Sequence, residues 1–269
     1  VAVIGGGITG ALVAYHLVRA GVDTVLLEGG RVGLASTSAS TGLLQYELDV
    51  GLVELAKLLG AERADRAYRV SVEALEAFAP LVAELGGECG LVPRESLYLA
   101  TRPRDVEAMR DECAARRRIG IDVAFLDEGA LRERFGIRRA GALLSARAFE
   151  VDPYRLTCRL IDGAVAGGLR VYEETRAEVY EPRGDGVVLC TPGQSPRRVV
   201  AKKVVFATGY ATPDFLRRDF CRLRSTYALV TRPLVEPGVW KERCLIWESG
   251  RPYFYLRGTE DGRIMCGGE

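Results

Sequence analysis

The sequence predicts an α/β protein: a Rossmann-like nucleotide-binding domain and a second, mixed α+β domain built on an antiparallel sheet. Three observations predict it. An apolar run at residues 1–4 leads straight into Gly5-x-Gly7-x-x-Gly10 and then into a helical pattern with Ala14 one turn on. A second apolar run, Thr24 to Leu27, follows that helix and ends in Glu28. The last third of the chain breaks into short strand-like runs separated by Pro and Gly, as an antiparallel sheet does.

Each glycine of the first turn has a mechanical role. Gly5 lets the chain reverse, Gly7 lets backbone approach a pyrophosphate, and Gly10 lets helix and strand pack closely. The pyrophosphate then rests on the helix N-terminus, where unpaired N–H groups favour negative charge. Glu28 stands near the distance expected of a ribose-binding carboxylate. An acid there repels a 2′-phosphate, which disfavours NADP and leaves NAD and FAD open.

Composition narrows the function classes. At 269 residues the chain holds one large or two modest domains. Lys plus Arg number 37 against 36 Asp plus Glu, so bulk charge argues for neither nucleic acid nor an anionic membrane as partner. Seven cysteines, with no C-x-x-C pair and no metal-like spacing, suit a reducing cytosol and predict no metal. His16 is the sole histidine, which removes any scheme needing a catalytic Ser-His-Asp or Cys-His set. No stretch reaches the roughly 18 apolar residues of a membrane span. The run Arg116 to Arg118 reads as a solvated helix face.

Taken in order, a helix is expected over residues 10–20, then the strand ending at Glu28. Gly29 to Gly42, GGRVGLASTSASTG, is a loop dense in hydroxyls and backbone amides, suited to phosphate and ribose oxygens. Apolar residues recur at helical spacing from Asp49 to Leu59 and from Ala61 to Leu85, with Pro80 expected to kink or divide the second helix. A domain boundary is expected at Gly86-Gly87, followed by a strand from Leu91 to Ala100. A helix from Asp105 to Ile119 has Asp105 as its expected N-cap. Asp122 to Leu126 reads as a strand, Asp127 caps the next helix, and Ala142 to Phe149 is extended. Asp152-Pro153 starts a helix that ends at Gly167-Gly168. Three strand-like runs follow, Arg170 to Tyr180, Gly186 to Thr191 and Val199 to Ala207. Beyond Pro213, Leu223 to Thr231, Leu245 to Glu248, Tyr253 to Arg257 and Ile264 to Cys266 read as a meander.

On these residues the chain resembles the FAD-dependent D-amino-acid oxidase and glycine oxidase family. The resemblance rests on VAVIGGGITG with Ala14, on LLEGGRVGLASTSASTGLLQYELD from Leu26, on FEVDPYRL from Phe149, on VVFATGY from Val204, and on YFYLRGTEDGRIMCGG from Tyr253. These stretches occur in family order along nearly all of the chain. The resemblance implies a discontinuous FAD-binding domain (1–88 and 147–215). It also implies a substrate domain (89–146 and 216–269), expected to be incomplete because relatives continue past Glu269. It puts Gly5, Gly7 and Gly10 at the FAD pyrophosphate and Glu28 at the adenosine ribose. Arg31, Thr37, Ser38, Gly42 and Leu43 would lie on the loop toward the flavin, and Ala177 with Ala207, Thr208 and Gly209 on the adenosine side.

The implied chemistry is dehydrogenation of a carbon bearing an amine, with hydride passing to flavin N5 and oxygen or a respiratory acceptor taking the electrons. An arginine that meets a substrate carboxylate two-pronged would fix orientation. Arg257 is the candidate, with Tyr253 and Tyr255 on the same strand face. Two alternatives stay open: a 2-hydroxy-acid or polyol dehydrogenase on the same fold, and a truncated, non-catalytic FAD-binding domain. A nucleic-acid-modifying flavoprotein would need a basic patch that the sequence lacks.

Overall fold

A computed structural model of the chain describes residues 1–87, 89–191, 197–215, 223–234 and 243–268. In chain order its elements are β1 (Ala2–Ile4), α1 (Ile8–Arg19), β2 (Val25–Leu27), β3 (Leu43–Gln45), α2 (Leu52–Leu59), α3 (Ala61–Glu76) and α4 (Phe78–Glu84). There follow β4 (Val92–Leu99), α5 (Val106–Arg118), β5 (Val123–Asp127), α6 (Glu128–Phe135), β6 (Gly141–Glu150), α7 (Pro153–Ala166) and β7 (Arg170–Tyr172). The chain ends with β8 (Val179–Arg183), β9 (Gly186–Thr191), β10 (Arg197–Ala201), β11 (Val204–Phe206), β12 (Tyr227–Val230), β13 (Leu245–Glu248), β14 (Phe254–Gly258) and β15 (Ile264–Gly268).

The chain divides into two compact units, residues 1–40, 85–89 and 152–224 in the first and 41–84, 90–151 and 225–269 in the second. The first unit is built on a parallel sheet of order β11-β1-β2-β7, as the strand–turn–helix pattern predicts. Its strands Ala2–Ile4 and Val25–Leu27 are wholly buried, which is why they read as unbroken apolar runs. A three-stranded antiparallel sheet, β10-β9-β8, packs Leu189, Ala201 and Val187 against Ala2, Ile4 and Leu27. Helix α1 packs against α7, where Gly163 leaves room for the Tyr15 ring. Asp152 caps α7 by accepting from Arg155 N at 3.0 Å.

The second unit carries an eight-stranded sheet, β12-β15-β14-β13-β4-β6-β3 with β5 paired to β6. Leu131 of α6 packs into Leu97, Leu99, Leu144 and Ile246. Met109 and Cys113 of α5 pack with Ala100, Val123 and Leu143. Residues Tyr46, Leu52, Tyr68, Leu75 and Ile121 form a further core where α2 and α3 close over the segment after β3.

Several expectations are corrected. Residues 41–84 join the second unit, because β3 pairs with β6 and its neighbouring helices share a core with Ile119 and Ile121. Residues 147–151 go with them, since β6 runs unbroken to Glu150. The expected strand 170–180 is two strands on two sheets, and so is 199–207. The terminal strands are no simple meander: β13 pairs parallel with β4. Asp105 stands at the N-cap position of α5 as expected, but its side chain makes no cap bond to that helix; its carboxylate accepts from Arg102 N and Ser249 Oγ. The second helix does divide, into α3 and α4 at Ala77, with Pro80 in the first turn of α4.

The Arg116–Arg118 run is not a uniform solvated face. Arg118 is exposed and pairs with Asp65, but the Arg116 side chain is 1% exposed and its Nε donates to Glu112 at 2.7 Å. Glu112 in turn accepts from the N–H groups of Leu52 and Val53, so a carboxylate from α5 caps the start of α2. Such a buried pair adds little net stability, yet breaking it strands a charge and costs about 3–5 kcal/mol. Arg116→Met is therefore expected to lower the unfolding free energy by about that amount in urea, whereas Arg118→Met, at an exposed pair, is expected to leave it near the wild-type value.

Glu47, 3.7 Å from Arg116, belongs to the same network. Burial pushes its carboxyl above the usual range, against the opposing pull of Arg116. A carboxyl raised in the folded state binds its proton more tightly there than in the unfolded chain. Its stabilising share is present at acid pH and is lost as pH rises past the ordinary carboxylate range. Glu47→Gln is expected to flatten that fall in a series of melts taken from acid to neutral pH.

Candidate functional site

The turn after β1 is built so that only glycine fits at two of its positions. Gly5 has φ +104°, and a Cβ there would run into the carbonyl of Ala207. A Cβ at Gly10 would overlap the carbonyl of Gly5. Strand ends stitch the turn in place: Gly5 N donates to Leu27 O at 2.8 Å, and Ala207 N to Ile4 O at 2.8 Å. Gly7 differs, since a Cβ there would meet one atom, Thr37 Oγ1, at 3.0 Å. That side of Gly7 faces open space beyond the threonine.

Glu28 braces this turn from the end of β2. Its Oε2 accepts from Gly6 N at 2.6 Å and its Oε1 from Gly30 N at 2.7 Å. Each oxygen keeps a second lone pair for another donor. Thr37 does the same for the helix start, its hydroxyl accepting from Ile8 N at 3.1 Å. Together these groups border a cleft of about 560 Å³ lined wholly by residues of the first unit. Of the residues singled out in the sequence, Gly5, Gly7, Glu28, Thr37, Ala177, Ala207, Thr208 and Gly209 line it. Gly10 sits beneath, holding α1 against the turn.

The cleft also takes in residues that sequence reasoning missed. Arg176 lines it, its stem packed 3.4 Å from the Cβ position of Gly29 and its Nε 3.8 Å from Glu178. No local signal marks Arg176, because the stretch around it reads as strand. Thr212 lines the cleft beside Thr208, their hydroxyls 2.9 Å apart. Ser36 lines it too, and there the hydroxyl-rich loop was the available signal.

Other expected site residues lie elsewhere. Arg31 is exposed, 3.6 Å from Glu174, and the exposed Ser38 donates to Ala35 O. Gly42 and Leu43 belong to the second unit, where Gly42 O accepts from Val151 N and Leu43 pairs with Glu150. Tyr253 and Tyr255 do share a face, their rings stacked with centroids 5.8 Å apart. Arg257 is buried: Nε donates to Thr41 O, Nη1 donates to Gly258 O at 3.3 Å, and Nη1 lies 3.8 Å from Glu150. His16 is exposed. Among the described residues there is no metal-binding group of His, Cys, Asp and Glu, and no helix long and apolar enough to cross a membrane.

The chain is similar to known proteins along its whole length. Residues 1–269 match the family described as FAD dependent oxidoreductase. Gamma-glutamylputrescine oxidoreductase of Escherichia coli (strain K12) is 26% identical over 278 residues, which cover 100% of this chain and 64% of that protein. Glycine oxidase of Geobacillus kaustophilus (strain HTA426) is 29% identical over 220 residues, covering 78% of this chain and 54% of that protein. The crystal structure of glycine oxidase from Geobacillus kaustophilus superposes with a TM-score of 0.79 at 21% identity, over 100% of this chain and 70% of that one. The chain thus spans less than two thirds of the length of these two curated relatives.

The two kinds of glycine in the turn separate binding from folding. Gly7→Ala puts a methyl into the cleft without backbone strain, since Gly7 has φ −76°. It is expected to weaken FAD about tenfold, or about 1.4 kcal/mol, by flavin fluorescence titration, with only a small fall in the melt as Thr37 Oγ1 gives way. Gly10→Ala is expected to lower the melting temperature itself.

Proposed function

Because the chain belongs to the FAD dependent oxidoreductase family, we propose that it dehydrogenates a small amino acid or secondary amine with FAD held in the first unit's cleft. One observation carries the reading: the cleft brings the glycine turn, the Glu28 carboxylate and the start of α1 to a single surface. These residues fit the cofactor. A pyrophosphate needs bare backbone and N–H donors, which Gly7 and the first turn of α1 offer. A ribose needs an acceptor for its hydroxyls, and Glu28 retains lone pairs for them. Ala177 and Ala207 to Gly209 give the adenosine side small walls, and Thr37 with Ser38 leads toward the flavin.

When bound, FAD supplies the hydride acceptor at N5. The chain's own task is then to hold and orient. Tyr253 and Tyr255 are proposed to flank the substrate from one sheet face. Arg257 acts as a positioning residue, tying their strand to the carbonyl of Thr41. Oxygen or a respiratory acceptor is proposed to take the electrons onward. Six free cysteines among the described residues support a reducing, cytosolic setting.

The experiment is a visible spectrum of the purified chain with FAD, repeated anaerobically with D-amino acids, glycine, sarcosine and 2-hydroxy acids. Bleaching of the flavin band by an amine is the expected result. Bleaching by hydroxy acids alone would move the reading to C–O oxidation. A chain that takes up no FAD, or whose FAD no substrate reduces, contradicts it.

A further inference from the structure

The second unit's sheet carries an ion cluster of which the oxidoreductase reading uses Arg257 alone. Glu150, buried at the end of β6, accepts on Oε1 from Nη2 of Arg94 on β4 and from Nη2 of Arg243 just before β13, both at 2.9 Å. Nη1 of Arg257 lies 3.8 Å from the other oxygen, Oε2. Three guanidinium charges therefore surround one carboxylate, and two of them share a single oxygen.

This imbalance sits in a region largely withdrawn from water. The side chains of Arg94, Arg243 and Arg257 are 15%, 29% and 10% exposed. Buried charges are tolerated when they are paired and their donors satisfied. Among the described residues no acid other than Glu150 forms an ion pair with Arg94 or Arg243. Arginine usually meets a carboxylate as a two-pronged fork, but both of these touch Glu150 through one nitrogen. The Nε atoms of Arg94 and Arg243 are buried with no acceptor, and Glu150 Oε2 accepts no hydrogen bond. The backbone of Arg243 is also held at φ +44°, a conformation that persists in a non-glycine residue only where its surroundings impose it.

We propose that Arg94 and Arg243 form a binding site for a small oxyanion, a carboxylate or phosphate group, whose oxygens take up the guanidinium donors that Glu150 leaves unmet. Arg257, committed to the carbonyls of Thr41 and Gly258, contributes fixed positive charge behind them. Glu150 is the internal competitor that holds the arginines together when no ligand is present. Arg243, the most exposed of the three, is the point of entry.

The test is a series of thermal melts of the full chain with FAD added, in acetate, phosphate or chloride at equal ionic strength. It reads a melting temperature and so stands apart from any turnover. A ligand that binds the folded state raises that temperature with concentration. Acetate or phosphate is expected to raise it by about 2–4 °C over chloride. A larger response to acetate assigns a small organic acid, and a larger response to phosphate assigns a phosphorylated or inorganic source. Arg243→Gln leaves Glu150 paired with Arg94 and is expected to abolish the increment. Glu150→Gln removes the competitor and is expected to shift half-saturation to roughly tenfold lower anion concentration, which a merely structural Glu150 would not do. If Glu150→Gln does not fold, the Arg243→Gln comparison decides. Equal response to all three anions in the wild type, or an increment that survives Arg243→Gln, overturns the proposal.

Discussion

The carboxylate of Glu28 is the point on which the first unit's architecture turns. It accepts from Gly6 on one side and from Gly30 on the other, so one side chain fixes both the glycine turn and the loop that follows β2. Its own backbone is fixed as well, with Glu28 N donating to Tyr172 O and Thr175 N donating to Glu28 O. An ionised acceptor of this kind is worth about twice a neutral one. Without it the buried Gly6 N–H would lose its acceptor, and the turn would lose the bond that sets its distance from β2. The same carboxylate is the group proposed to meet the adenosine ribose, so fold and binding share one constraint.

The second unit solves a comparable problem with a different device. The N-terminus of α2 starts at Gly51, whose lack of a side chain leaves the first N–H groups without a local cap. Glu112 reaches across from α5 to accept from two of them, and Arg116 neutralises Glu112. Tyr46 and Tyr68 close over the guanidinium, with their ring centroids 5.7 and 5.4 Å away. A buried ionic network of this sort defines which helix starts where at the cost of desolvating its members. The tight coupling of α2, α3 and α5 through it explains why residues 41–84 leave the first unit.

What the sequence made legible was local. The glycine turn, the Asp127 and Asp152 caps and the break near Pro80 each follow from what a few consecutive residues can do, and each occurs where expected. What it hid was long-range. Nothing in the residues around Arg116 tells that Tyr46 and Glu47, some seventy positions earlier, will bury it. The run 170–180 reads as one strand because its composition is uniform. It is divided because Thr175 bonds back to Glu28, drawing the chain from one sheet toward the next. Gly5, Gly7 and Glu28 line the cleft because strand, turn and helix fold them together locally, whereas Ala177 and Ala207 to Gly209 reach it from distant segments. Arg176 escaped notice because its place there depends on Gly29, from a different part of the chain.

The most direct test of the central claim is the affinity of Glu28→Gln for FAD and for ADP, measured by titration calorimetry beside the wild type. An amide offers one acceptor oxygen where the carboxylate offers two, so either Gly6 or Gly30 would face an N–H group. The account predicts that FAD and ADP weaken together, by about tenfold to a hundredfold, because both use the adenosine half of the cleft. Unchanged binding of both ligands by a folded Glu28→Gln chain would contradict it.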